Sequence, residues 1–108
     1  MANTYKLKTF RTTIATLNTA QVLSTATTAA AGRFAQAAVL HVPSSNTAIV
    51  YIGDSTVTAN TGFPLVAGST ISLSDLFKGN RVREWDLASI YVYGAANDVV
   101  RVAHEVEQ

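Results

Sequence analysis

Apolar residues along this chain come in short runs divided by turn formers, without the three-and-four spacing of an amphipathic helix. FAQAAVLHV at 34–42 is closed by Pro43, Ser44, Ser45 and Asn46, and TAIVYI at 47–52 follows, rich in β-branched residues. Two such runs divided by a four-residue turn predict a β-hairpin. In TAIVYI both faces are apolar, with Ala48, Val50 and Ile52 on one and Ile49 and Tyr51 on the other. Such a strand belongs at the centre of a sheet or presents its outer face to a partner. The end of the chain repeats the device: LASIYVY at 87–93, GAAN at 94–97, then DVVRVAHEVE at 98–107. Here the alternation is cleaner. Val100, Val102 and Val106 share a face with His104 and are expected in the core; Val99, Arg101, Ala103 and Glu105 form the wet face. In the preceding strand Ala88, Ile90 and Val92 are expected to point inward, and Tyr91 and Tyr93 outward.

Between these predicted hairpins lies VYIGDSTVTANTGFPLVAGS at 50–69. Gly53 and Asp54 are expected to turn the chain, and Gly62 to take a backbone conformation that other residues resist. Pro64 fixes φ and lacks a donor, which suits an edge strand or turn. Leu65 is expected to plug the core and Gly68 to make the next turn. The stretch therefore reads as a structural corner. A short strand is expected near 70–73, and one helical turn from Ser74 and Asp75, ended by Gly79 or Asn80. YKLKTF at 5–10, TIATL at 13–17 and QVLS at 21–24 carry strand residues. STATTAAAGR at 24–33 is Ala/Thr-rich; its threonines and Gly32 favour a loop or arm over a helix. The expectation is an all-β chain, a small antiparallel β-sandwich or barrel of jelly-roll or Ig-like type with an extended N-terminal arm. It is read as a single domain, with 1–32 as arm and first strands and 33–108 as the sandwich core. Deleting the residues before Thr13 is expected to leave that core folded.

Composition sharpens this picture. Only 14% of the 108 residues are charged, against about 25% in ordinary soluble domains. Thr, Ser, Asn and Ala must cover the surface, and so weakly charged a small domain is expected to hide part of its surface in an assembly. A formal net charge of +1 supplies no field for nucleic acid or an anionic membrane, so neither is expected as a partner. The absence of cysteine removes disulfides, thiolate nucleophiles and Cys metal sites. The N-terminus lacks the apolar stretch of a signal peptide, and no apolar run approaches the roughly 18 residues of a membrane span.

Residues that could carry chemistry are few. His41 and His104 both fall inside predicted strands, and strand geometry sends Glu105 to the face opposite His104. Glu84 and Asp86 flank Trp85, which suggests a sugar platform or, more simply, a hydrophobic plug beside surface ion pairs. GDSTVTANTG has neither the spacing nor the lysine of a phosphate loop, and lacks the acidic ligands of a calcium loop. No enzyme activity, cofactor or metal is expected. The basic residues Lys6, Lys8, Arg11, Arg81 and Arg83 read either as solvated positions or as contacts to an acidic neighbouring subunit. Together with Tyr5, Phe10, Trp85, Tyr91 and Tyr93 they form the set of interface candidates.

One resemblance goes further. Asn46 and Thr47, VYIG at 50–53, Val57 and Thr58, Gly62, Pro64 and Leu65, Gly68, IYVYG at 90–94 and VRV at 100–102 make a pattern similar to small β-domain proteins of tailed bacteriophage particles. The upstream segment 20–24 and Arg33 fit more loosely, and the resemblance spans 20–107. SDLFKGNRVREWD at 74–86 is longer than the usual connection and marks a partner-specific insertion. The resemblance implies a virion structural protein made in the host cytoplasm and carried on the capsid surface. Its expected role is a decoration or cement subunit that binds and stabilises the major capsid protein and self-associates as a trimer or dimer. Alternatives are a head–tail connector, tail or fibre-base component, and a carbohydrate-binding module using Trp85, Tyr91 and Tyr93.

Overall fold

The computed structural model of the chain describes residues 5–25, 34, 35, 37–73 and 85–107. Among them the strands are β1 (Tyr5–Thr13), β2 (Gln21–Val22), β3 (Phe34–Ala35), β4 (Ala38–His41) and β5 (Val50–Gly53), then β6 (Phe63–Leu65), β7 (Thr70–Ser72), β8 (Trp85–Asp86), β9 (Tyr91–Tyr93) and β10 (Val99–Glu107). They form two four-stranded sheets, ordered β1-β10-β4-β7 and β2-β9-β5-β6, and a small β3-β8 pair. The fold is all-β, two antiparallel sheets packed face to face.

The pairing is nested. β1 pairs with β10, β2 with β9, β3 with β8, β4 with β7 and β5 with β6, all antiparallel. The chain is thus one long ribbon folded back on itself, with its tip in the loop 54–62. The ribbon bends repeatedly so that successive segments alternate between sheets. The β10–β4 and β9–β5 ladders then join adjacent windings. This strand order is that of a jelly roll; an Ig-like sandwich does not nest its strands first to last.

Nesting overturns both expected hairpins. β4 and β5 lie in different sheets, and so do β9 and β10. The turn residues between them are corners that carry the chain across one end of the sandwich, and side chains hold the two corners together. Asn46 donates from Nδ2 to the Val99 carbonyl at 2.8 Å and accepts from the Val99 amide at 3.0 Å. The Asp98 carboxylate accepts from the amides of Thr47 and Ala48 at 2.9 and 3.1 Å, and from the Thr47 hydroxyl. Asn97, at φ 74°, makes the left-handed step before Asp98, a conformation that asparagine tolerates better than most residues. The corner at 14–20 lies alongside, where the Ile14 amide donates to the Asp98 carbonyl and the Asn97 amide to the Ile14 carbonyl.

Other expectations shift locally. LASIYVY does not run as one strand. It begins as a 3-10 turn, Leu87–Ser89, capped by the Asp86 carboxylate on the Ala88 amide, so Leu87 rather than Ala88 is buried. TIATL is loop beyond Thr13, with Ile14 turned fully into the core. Gly62 has no left-handed backbone; a Cβ there would lie 2.5 Å from Tyr51 Cβ and 2.7 Å from Val57 Cγ2, so close approach is what requires glycine. Gly68 does take φ +88° in the turn before β7. Pro64 sits on the edge strand β6, opposite Tyr51.

The core is made by the inner faces. Val50, Val92 and Val100 are fully buried, as are Leu40, Val42, Leu87 and Ile14, with Leu65, Leu73 and Val102 nearly so. Each such side chain stabilises the fold by about 1.5–3 kcal/mol relative to exposure. Val100 and Val102 of β10 point inward and Arg101 outward, as its alternation predicts.

The N-terminal segment differs from a free arm. Residues 5–13 pair with β10 along their whole length, and Phe10 packs against the core. Deleting this segment would uncover the edge of β10, so it is not a dispensable attachment. β4 pairs with β10 as far as His104, opposite Ala38, and the Glu105 amide donates to the Ala37 carbonyl just beyond. The Ala/Thr-rich stretch at 26–33 and the helical turn expected near 74–80 lie outside the described residues.

Candidate functional site

Inner faces being packed, the described strands present side chains for contact on the two outer faces, beside exposed corner residues such as Leu17. On the β1-β10-β4-β7 sheet the register builds transverse rows. Thr9, Ala103, Val39 and Ser72 form one; Arg11, Arg101, His41 and Thr70 form the next. Arg11 and Arg101 are exposed and directly opposite each other, while His41 is half-buried. The His41 ring is oriented by a hydrogen bond between Nδ1 and the Thr70 hydroxyl at 2.9 Å. Around these residues lies an open depression of about 440 Å³ whose lining includes Thr9, Arg11, Val39, His41, Arg101 and Ala103.

The outer face of the β2-β9-β5-β6 sheet is apolar and aromatic. Tyr51 and Tyr93 are cross-strand partners, their rings edge to face with centroids 6.3 Å apart and planes at 69°. Leu17 and Ile49 are exposed beside them, Leu17 at 58%. With Ala48, Ala59 and Ala95 these residues border a groove of about 290 Å³. Tyr91 stands one row away, paired with Val22 and Gly53. The tip of the ribbon folds back toward this face: Val57 is buried between Gly53 and Gly62, and Gly62 lies against Tyr51.

The residues singled out from sequence are therefore distributed over several places. Tyr91 and Tyr93 share the aromatic face, half-buried. Arg11 belongs to the cationic row on the opposite sheet. Lys8 is exposed and opposite His104; Phe10 faces inward, its ring edge-on to His104 at 5.7 Å. Tyr5 and Lys6 open β1, and Trp85 opens β8. Arg81 and Arg83 lie outside the described residues. Sequence reasoning passed over Tyr51, Leu17 and the coincidence of Arg11 with Arg101. For Tyr51 a signal existed in the doubly apolar TAIVYI; for the arginine pair none did, because 90 residues separate the two.

Two further polar groups, His104 in the core and Asp54 in a turn, stand away from both faces. His104 is 2% exposed with no hydrogen-bond partner at Nδ1. Burial holds its pKa below the ordinary value of 6.5, and the Lys8 charge adds to that. Asp54, in the stretch that superficially suggests a calcium loop, is occupied locally: its carboxylate accepts from the Thr56 hydroxyl and amide at 2.6 and 2.9 Å, which lowers its pKa. Among the described residues no three His, Cys, Asp or Glu side chains gather as a metal-binding group.

Comparison of the chain with known protein families, curated proteins and solved structures finds no match.

Proposed function

We propose that this chain is a structural subunit that works by docking, a decoration or cement protein of a tailed-phage shell that binds and stabilises the major capsid protein. The observation that carries the docking reading is the Tyr51–Tyr93 face. A half-buried cross-strand tyrosine pair flanked by the exposed Leu17 and Ile49 offers rigid amphipathic contact area of the kind that anchors protein interfaces. The low charge content of the chain and its sequence resemblance to small phage-particle proteins support the choice of partner. Jelly rolls serve viral capsid and lectin domains alike, so the topology by itself favours neither. The 69° angle between the two rings gives no flat platform for stacking a sugar.

The test is solution size by light scattering coupled to size exclusion, with and without empty shells of the source particle. Co-elution of wild-type protein with shells, weakened by Tyr93→Ala and by Ile49→Lys while the fold is retained, supports the proposal. A closed ring that ignores shells points to a connector or tail component instead. Wild-type protein that binds neither itself nor shells, but binds glycans, sinks it.

A further inference from the structure

We propose that the row of Arg11, Arg101 and His41 is a receptor for a carboxylate side chain of the partner protein, seated between the two guanidinium groups. The inference rests on the docking reading and names the chemistry of what docks. Directly opposite residues in an antiparallel pair hold their Cβ atoms about 4.5–5.5 Å apart, and like charges so placed repel. Here they are both arginine. The chain has seven acidic residues, yet none stands in this row or in the adjacent row of Thr9, Ala103, Val39 and Ser72. The nearest acid along β10 on this face is Glu105, four residues from Arg101, which is roughly 13 Å of extended strand. An anion placed between the arginines converts the repulsion into two charge-assisted contacts.

The surroundings select the kind of anion. Backbone amides in this part of β10 and β4 are spent in the sheet ladders. The converging N–H groups that favour phosphate at loops and helix ends are therefore not offered. Side-chain donors remain, and the planar fork of arginine matches the planar carboxylate. His41, oriented through Nδ1 by Thr70, directs its other ring nitrogen away from that bond as a third polar contact. The neighbouring Thr9, Ala103 and Val39 are small or neutral, so the depression admits a side chain standing off an apposed protein surface. With a net charge of +1 and an acid further along the strand, this face suits one discrete carboxylate better than a polyanion.

The experiment is an amide-resolved NMR titration of the full chain with a short oligo-glutamate peptide. An oligo-glutamine peptide of equal length and inorganic phosphate are titrated in parallel. The glutamate peptide is expected to perturb the amides around Arg11, Arg101 and His41, more weakly as salt rises, with the glutamine peptide inert and phosphate weaker. The double variant Arg11→Gln with Arg101→Gln is expected to bind the glutamate peptide roughly tenfold more weakly, from loss of charge-assisted hydrogen bonds. Its thermal midpoint should equal or exceed wild type, because the repulsion is relieved. Unchanged affinity in the double variant, perturbations elsewhere, or tighter binding of phosphate than of glutamate overturns the assignment. Shell co-elution separates this from the docking reading. If the double variant co-elutes as well as wild type, this row is not the docking contact, and that part of the inference fails while docking stands. If wild type binds the peptide through these residues but no shells, the carboxylate site stands and the docking reading fails.

Discussion

The Asp98 carboxylate, buried to 4% exposure, caps the backbone amides of Thr47 and Ala48, fifty residues earlier in the chain. One acidic side chain thus ties the corner between β4 and β5 to the corner between β9 and β10. Removing it leaves two amides without their acceptor. Asp98→Ala is expected to destabilise the fold by about 2–4 kcal/mol, and Asp98→Asn by less, since an amide oxygen still accepts. Urea denaturation of the three proteins checks the order. Equal midpoints would mean that the corners are held by something else.

Gly62 and Gly68, both in the stretch 50–69, differ in what they need. Gly62→Ala drives a methyl group against Tyr51 and Val57, and such overpacking typically costs about 1–3 kcal/mol. At Gly68 nothing lies within 4 Å of an added Cβ, and only φ +88° is at issue. Gly68→Asn should therefore be milder than Gly68→Ala, because asparagine tolerates the left-handed region. At position 62 asparagine should be worse than alanine. Thermal melts of the four variants decide this; the same ranking at both sites would contradict it.

His104 predicts a pH dependence. Its folded pKa is lowered from 6.5 by burial and by Lys8, so the unfolded chain takes up the proton first as pH falls. The contribution of neutral His104 is intact above the unfolded value and is lost as pH falls from there towards the lower folded value. His104→Leu, which also removes a buried nitrogen with no partner, should flatten the fall in urea midpoint across that window. A variant as steep as wild type assigns the slope to other groups.

β1 is integral to the sheet. A chain beginning at residue 14 lacks a nine-residue ladder and the packing of Phe10. It is expected to lose cooperative unfolding or to aggregate through the bared edge of β10. A sharp thermal transition and monodisperse scattering in the truncated protein would contradict this.

Nested pairing also sets the folding rate. Tyr5 must meet Glu107 and Thr13 must meet Val99. Contacts so distant in sequence place refolding in the range of about milliseconds to seconds. Stopped-flow fluorescence measures it; microsecond refolding would mean that local structure dominates.

What the chain declares by itself is local. β-branched runs, their turn residues and the period-two alternation of β10 are properties of neighbouring residues, because strand propensity and side-chain direction need no distant partner. They suffice for an all-β sandwich, for Val100 and Val102 pointing inward from β10, for Leu65 in the core and for the turn at Gly68. Partner choice is different. A run ended by Pro43, Ser44, Ser45 and Asn46 is equally compatible with a hairpin and with a corner that crosses between sheets. The choice fell to Asn46 and Asp98, whose hydrogen bonds to distant backbone exist only once the ribbon has rolled up. The tertiary structure likewise set Arg11 opposite Arg101 and Tyr51 opposite Tyr93, because register between segments far apart in sequence is written in packing and not in any local pattern.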